Sequence, residues 1–270
     1  MELFGYFAAS IIGVSLGLIG GGGSILTVPV LVYLFGVDPV LATSYSLFIV
    51  GSTALVGAFP KWQNNFVNVK TAFIFGIPSI AAVYMTRKWL VPLIPQEVFS
   101  IGGLTVTKPI LLLLLFALLM IAASISMIRD KSGSGSEAEV SNSADAITPA
   151  VQYLFILLEG AVVGVLTGLV GAGGGFLIIP ALVLFAKLPM KEAVGTSLLI
   201  IGMKSLLGFT GDIGHYEMDW HLLFTVTGLA IAGIFAGNAL SRRIAGERLK
   251  VWFGWFVLFM GVYIIIRELS

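Results

Sequence analysis

The chain has 270 residues, of which 58% are hydrophobic and 11% charged, with a formal net charge of +1 and no cysteine. A soluble domain carries about 25% charged residues. With a mean hydropathy of +1.04, this chain has too few polar groups to cover a surface facing water, which points to a membrane protein. Composition also excludes disulfides, thiolate metal sites and thiol chemistry, and without a basic stripe there is no nucleic-acid partner.

The start, Met1-Glu2-Leu3-Phe4, lacks the basic residues of a cleaved leader, so the first apolar stretch is expected to be retained as a helix. A membrane-spanning helix needs about 20 apolar residues, with roughly 17 as the lower limit. In chain order the long candidates are residues 3–19, 39–59, 71–86, 109–128, 151–170, 190–209, 222–240 and 251–266. Two shorter apolar stretches, 24–35 and 175–186, would each reach only about 18 Å as helices. They are expected to be half-helices ending inside a bilayer core about 30 Å thick or at its edge. The polar stretch RDKSGSGSEAEVSNSADA, starting at Arg129, has the composition of a solvated tether.

Placing residues 17–57 over 168–208 without a gap gives 16 identities in 41 positions, among them six glycines and a proline. Chance matches in an apolar sequence would be Leu and Val. The expected organisation is a first transmembrane repeat (1–128), a cytoplasmic linker (129–150) and a second repeat (151–270). The fold class is an all-α membrane protein of about eight full spans and two glycine-broken half-helices. An odd number of crossings per unit would give the two repeats inverted topology, the plan of many secondary transporters.

Loops expected on one side hold Lys61, Lys70, Arg129, Lys131, Lys187, Lys191, Arg242, Arg243, Arg248 and Lys250, against Arg87, Lys88, Lys108 and Arg267 on the other. The positive-inside rule places the first set and the linker in the cytoplasm. A multi-pass plasma-membrane protein with both termini outside follows. Trp62, Trp89, Trp220 and Trp252 sit near helix ends, as interfacial aromatics do.

The chemistry is expected at the two glycine runs, Gly20-Gly21-Gly22-Gly23-Ser24 and Gly171-Ala172-Gly173-Gly174-Gly175. Glycine bares the backbone N–H groups, and a helix starting at Ser24 or Gly175 has four of them without a partner inside the helix. Such an end carries the positive pole of the helix dipole and suits an anion without any charged side chain. Glycines that merely let helices pack closely are the alternative, but a contiguous run does not lie on one helix face.

Hydroxyls follow each half-helix, in Ala42-Thr43-Ser44-Tyr45-Ser46-Leu47 and Ala193-Val194-Gly195-Thr196-Ser197-Leu198. Ser46 and Ser197 hold matching repeat positions. They and Thr196 are either oxyanion donors or helix caps. Lys204, matched by Thr53, lies inside an apolar stretch, where a lysine is costly unless paired or beside a wet cavity. Glu159 is a candidate proton carrier or partner for Lys204. Asp212 and His215 could form a proton relay, although a loop of capping groups is the plainer reading. Neither a catalytic set, a metal spacing nor the lysine of a phosphate-binding loop is present, so no cofactor is expected.

The two copies of Gly-rich run, Val28-Pro29 or Ile179-Pro180, and Ala42–Leu47 or Ala193–Leu198 resemble the sulfite exporter TauE/SafE family of permeases over nearly the whole chain. The first copy departs from the pattern at Thr43-Ser44-Tyr45. The resemblance implies a small anionic sulfur compound, such as sulfite or an organosulfonate, as the transported partner. It implies a secondary transporter, with proton coupling as an option. An anion channel of the same architecture and, less favoured, a membrane-embedded enzyme are the rivals. Saturable exchange marks a carrier, and a product differing from the substrate marks an enzyme. Besides lipid, a second copy of the chain is left open as a partner.

Overall fold

The computed structural model describes residues 2–101, 104–129, 149–184, 186, 188–240 and 246–269. The linker expected at 129–150, and with it Lys131, falls outside the described residues except at its ends, as do Lys187, Arg242 and Arg243. The first unit comprises α1 (Glu2–Ile19), a 3-10 helix (Gly20–Leu26), α2 (Thr27–Phe35), α3 (Pro39–Gln63) and α4 (Val69–Met85). A π-helical turn (Thr86–Leu90), α5 (Val91–Leu93), strands β1 (Glu97–Ile101) and β2 (Leu104–Thr107), and α6 (Lys108–Arg129) complete it. The second comprises α7 (Pro149–Val170), α8 (Gly175–Leu184), α9 (Met190–Thr210), α10 (Trp220–Leu240) and α11 (Gly246–Leu269).

All eight long helices read from the sequence are present. Among the described residues, five stretches are long and apolar enough to span a bilayer: α3, residues 69–93, α6, α9 and α10. Phe4–Leu18, Gly23–Phe35 and Ile156–Val170 are shorter apolar helices. Outside the bundle, Phe4, Phe73, Phe224, Phe259 and Ile266 are more than half exposed. A coat of large apolar side chains on the outside is what a lipid solvent selects and water would not tolerate. Trp62, Trp89 and Trp220 are exposed near helix ends; the Trp252 side chain lies outside the described ones.

α1 and α2 form a hairpin. The Tyr6 and Phe35 rings meet edge to face at 5.3 Å, so α2 ends at the level where α1 began. Gly36 closes α2 in the left-handed conformation (φ 67°), one that glycine adopts without a steric penalty. Asp38 then caps α3, accepting from the Val40 and Leu41 amides at 2.9 and 3.3 Å. The hydroxyls of Thr43–Ser46 therefore lie inside α3 and do not cap it. In the second half, Ile156 near the start of α7 shares a core cluster with Leu182 near the end of α8 and Leu188 beyond it.

Helices of the N-terminal half of the chain pair with helices of the C-terminal half. Gly13 and Gly17 of α1 pack on Ala230 and Ile234 of α10, so these helices run parallel. Gly164 and Gly168, at the same repeat positions in α7, pack on Ser79 and Thr86 of the α4 segment, also parallel. α3 packs on α9 and α6 on α11. Gly51 of α3 opposes Leu206 of α9 while Gly202 opposes Leu55, so these two helices run antiparallel. Small residues at these crossings let the backbones approach closely.

The sequence reading did not include β1 and β2, which pair antiparallel with Ile101 opposite Leu104. Pro92, Pro95 and the alternation from Val98 to Thr107 disfavour a helix there.

Candidate functional site

The first glycine run departs from the expectation of an α-helix starting at Ser24. Gly20 turns the chain (φ 71°), the run itself is 3-10 helix, and α2 begins only at Thr27. The bared amides therefore belong to the run's first residues, Gly20–Gly22, because those from Gly23 onward are taken into the 3-10 bonding. Ser24 is buried and donates its hydroxyl to Gly21 O at 2.7 Å. The second run behaves as expected. Gly171, Gly173 and Gly174 all have left-handed φ (73°, 65° and 69°), and α8 starts at Gly175. Gly174 O accepts from the Leu177 and Ile178 amides at 3.0 and 3.1 Å, which leaves Gly175 and Phe176 at the open end of the helix.

The two runs meet. Gly21 and Gly175 are in backbone contact so close that a β-carbon on either would collide with the other's main chain. Around that contact lie matching faces of α3 and α9. Gly171 packs on Thr43 and Gly173 on Val50, while Gly20 packs on Val194 and Gly21 on Ile201. Positions 43, 46, 50 and 53 share one face of α3, as 194, 197, 201 and 204 do on α9. Ser46 is thus on the face toward the second run and Ser197 on the face toward the first. Ser46 is fully buried, and among the described residues its hydroxyl has no partner. Ser197 donates to Val194 O at 2.8 Å. Thr196, also buried, accepts from the Asn68 amide at 2.9 Å, a bond that ties the α3–α4 loop to α9.

Lys204 is fully buried. Its ammonium donates to Thr167 Oγ1 at 2.9 Å and lies against bare backbone, 2.9 Å from where a β-carbon on Gly174 would sit. Among the described residues no carboxylate pairs with it. Glu159 lies half-exposed on α7, eight residues or about 12 Å of helix rise from Thr167, and is not the lysine's partner. Ser205 beside it is fully buried with its hydroxyl unpartnered. In the first unit the positions of Lys204 and Thr167 are held by Thr53 and Leu16. The buried lysine and its threonine partner therefore have no counterpart at the matching positions of the first half.

Asp212 is not part of an open loop. It is fully buried in an ion pair with Arg87, Nη1 to Oδ2 at 3.3 Å. The same nitrogen donates to Thr43 Oγ1 at 2.9 Å. His215 stands exposed in the following loop, its amide donating to Asp212 O at 3.1 Å; no relay joins the two side chains among the described residues. Arg87 corrects the charge count above: it is no loop residue but is carried inward on the π-helical turn, a distortion common at functional sites. The sequence signal for it is slight, a basic residue at the end of an apolar run.

Among the described residues, long apolar helices coated with apolar side chains and enclosing a buried lysine define a multi-pass membrane protein. The profile of the sulfite exporter TauE/SafE family matches residues 6–264, and the chain belongs to that family of membrane transporters. It is 30% identical over 266 residues to a probable membrane transporter protein of Xylella fastidiosa strain 9a5c, covering 97% of this chain and 94% of the relative. It is 25% identical over 272 residues to one from Methanocaldococcus jannaschii, covering 95% and 92%. The probable membrane transporter YunE of Bacillus subtilis is 27% identical over 238 residues, 84% of each chain. No solved structure matches.

Proposed function

We propose that the chain is a secondary transporter for a small sulfur oxyanion such as sulfite or an organosulfonate, held between the two glycine runs and passed across by alternating access. The observation that carries this is Lys204: a buried cation without a carboxylate partner among the described residues, lying on the bare backbone of Gly174. A charge removed from water and left uncompensated is strongly unfavourable, and inside a membrane it marks a site. A mobile anion supplies the missing charge. Backbone donors at Gly20–Gly22 and at Gly173, Gly174 and Gly175, with the hydroxyls of Ser46 and Thr196, would complete its shell, whereas the Gly171 amide and the hydroxyls of Ser24 and Ser197 already donate to Thr167 O, Gly21 O and Val194 O. The sulfur chemistry comes from the family, and a small oxyanion fits a site built from N–H and O–H donors.

The antiparallel packing of α3 on α9, helices at matching repeat positions, supports an inverted repeat. If α1 with α2, and α7 with α8, each enter and return, then three crossings remain per unit and both termini lie on one side. Lysine and arginine bias places that side outside. Rocking of one unit against the other around the contact of Gly21 and Gly175 would give alternating access. With Asp212 held by Arg87 and His215 exposed, Glu159 is the carboxyl left for a proton-coupled step.

The test is uptake of labelled sulfite by proteoliposomes. The wild type is expected to show saturable uptake that unlabelled sulfite accelerates from the far side. Lys204→Met is expected to abolish it. Wild-type uptake by Lys204→Met would exclude the lysine-centred site, and flux that does not saturate would favour a channel.

A further inference from the structure

Arg87 has more donors than the fold uses. Its side chain is fully buried, and of its three nitrogens only Nη1 is engaged, by Thr43 and Asp212. Among the described residues Nε and Nη2 have no partner, and neither does Asp212 Oδ1. Buried polar groups are almost always satisfied, and those that are not call for an explanation. Nε–H and one N–H of Nη2 point the same way from a flat guanidinium, so the idle atoms form its bidentate edge, the one that grips two oxygens of a single oxyanion. Asp212 sits on the other edge, at a distance long for a charge-assisted bond, and the idle edge can be filled without displacing it.

The position suits a transit site. Thr43, which accepts from Arg87, packs directly on Gly171 of the second run. Asp38 caps the first turn of α3, and Lys108, almost fully buried, begins α6. Lys108 and Tyr216 lie within electrostatic reach of the Arg87–Asp212 pair, and Asp38 lies within reach of Lys108 and Tyr216. These groups gather at the end of the bundle where α1 starts and α2 ends. Two cations, Arg87 and Lys108, face two carboxylates, Asp212 and Asp38, so the cluster has no net charge. An anion would be held there by the fork's geometry more than by a net field.

We propose that the Nε–Nη2 edge of Arg87 is a second anion site, between this end of the bundle and the Lys204 centre, for small oxyanions that present two oxygens on one atom: sulfonates, sulfite or carboxylates. It rests on the anion reading of the centre and adds a selectivity step to it. The fork takes an oxyanion and gains little from chloride, which has one centre for two parallel donors.

The test uses the full chain in detergent, titrated with methanesulfonate and with chloride and followed by calorimetry and thermal unfolding. In the Lys204→Met background, which removes the central charge, methanesulfonate is expected still to bind and chloride not. Adding Arg87→Lys, which keeps the charge but loses the fork, should weaken methanesulfonate about tenfold or more. Asp212→Asn separates a lost site from a lost fold. It leaves the arginine unpaired, so it should unfold at lower temperature without ligand, yet bind methanesulfonate more tightly than wild type and recover stability with it. Equal methanesulfonate affinity with Arg87 or Lys, no methanesulfonate binding in the Lys204→Met background, or no gain in Asp212→Asn would overturn the second site. The central site stands or falls separately, on sulfite uptake by Lys204→Met alone.

Discussion

Gly175→Ala tests whether close approach of the two runs matters, because nothing else changes at that position. Gly175 is the first residue of α8 and has no positive φ, so alanine is acceptable to its backbone and favoured by helix propensity. What the added methyl meets is main chain: Cα, C and O of Gly21, all inside any real contact distance. A main chain cannot swing aside as a side chain tip does. Ordinary carbon contacts begin near 3.5 Å, so the runs must separate by roughly 1 Å or more. Overpacking of this kind costs about 1–3 kcal/mol, which would lower the unfolding temperature by several degrees. Movement of that size at a preorganised site should reduce sulfite uptake by at least about tenfold. Gly228→Ala is the control: it lies in α10, and its β-carbon would meet nothing within 4 Å. It should leave uptake unchanged and hold or raise stability. If Gly175→Ala transports and melts like wild type, contact between the runs is not part of the site.

Gly174→Ala should be worse than Gly175→Ala. It forces alanine into a left-handed φ of 69°, a cost of about 1–2 kcal/mol, and drives a methyl toward Lys204 Nζ and Thr167; uptake and thermal unfolding of the purified variant check this. Thr167→Val removes the lysine's one hydrogen-bond partner among the described residues and should destabilise by about 1–3 kcal/mol, measured by denaturant or thermal unfolding; no change would mean that the ammonium is satisfied otherwise. Arg87→Met leaves Asp212 buried and alone, which costs about 3–5 kcal/mol when one partner of a buried pair is removed, and methanesulfonate should not restore the lost stability. Glu159→Gln should end any dependence of sulfite uptake on an imposed pH gradient, while His215→Asn should not; a gradient dependence surviving Glu159→Gln would remove that carboxyl from coupling.

The glycine runs, the matching positions and Lys204 were legible because each is a local departure from an apolar background. A proline and six glycines in one register cannot arise from hydrophobic bias, and a lysine between Leu198 and Phe209 stands out by its desolvation cost alone. The repeat register even carries into packing, since Gly57 meets Ile234 and Leu198 where Gly208 meets Val83 and Leu47. The start of the first short helix was misplaced because 3-10 and α-helix draw on the same residues and differ only in which carbonyl each amide reaches. The ion pair of Arg87 and Asp212 joins residues 125 apart in sequence, and their repeat counterparts, Asn238 and Lys61, do not form the same charge pattern. Repeat logic therefore gave no hint of it. The strand pair from Glu97 to Thr107 was within reach: two glycines between alternating apolar and hydroxyl residues are a hairpin signature, hidden here by the expectation of helices throughout.

Selenite is sulfite with a heavier central atom, and its selenium can be located by anomalous scattering from crystals grown with it. A lysine-centred anion site predicts a selenium peak within about 4 Å of Lys204 Nζ, against Gly174 and between the two runs. Selenium found only at the bundle surface, with the lysine bonded to protein or water alone, would contradict it.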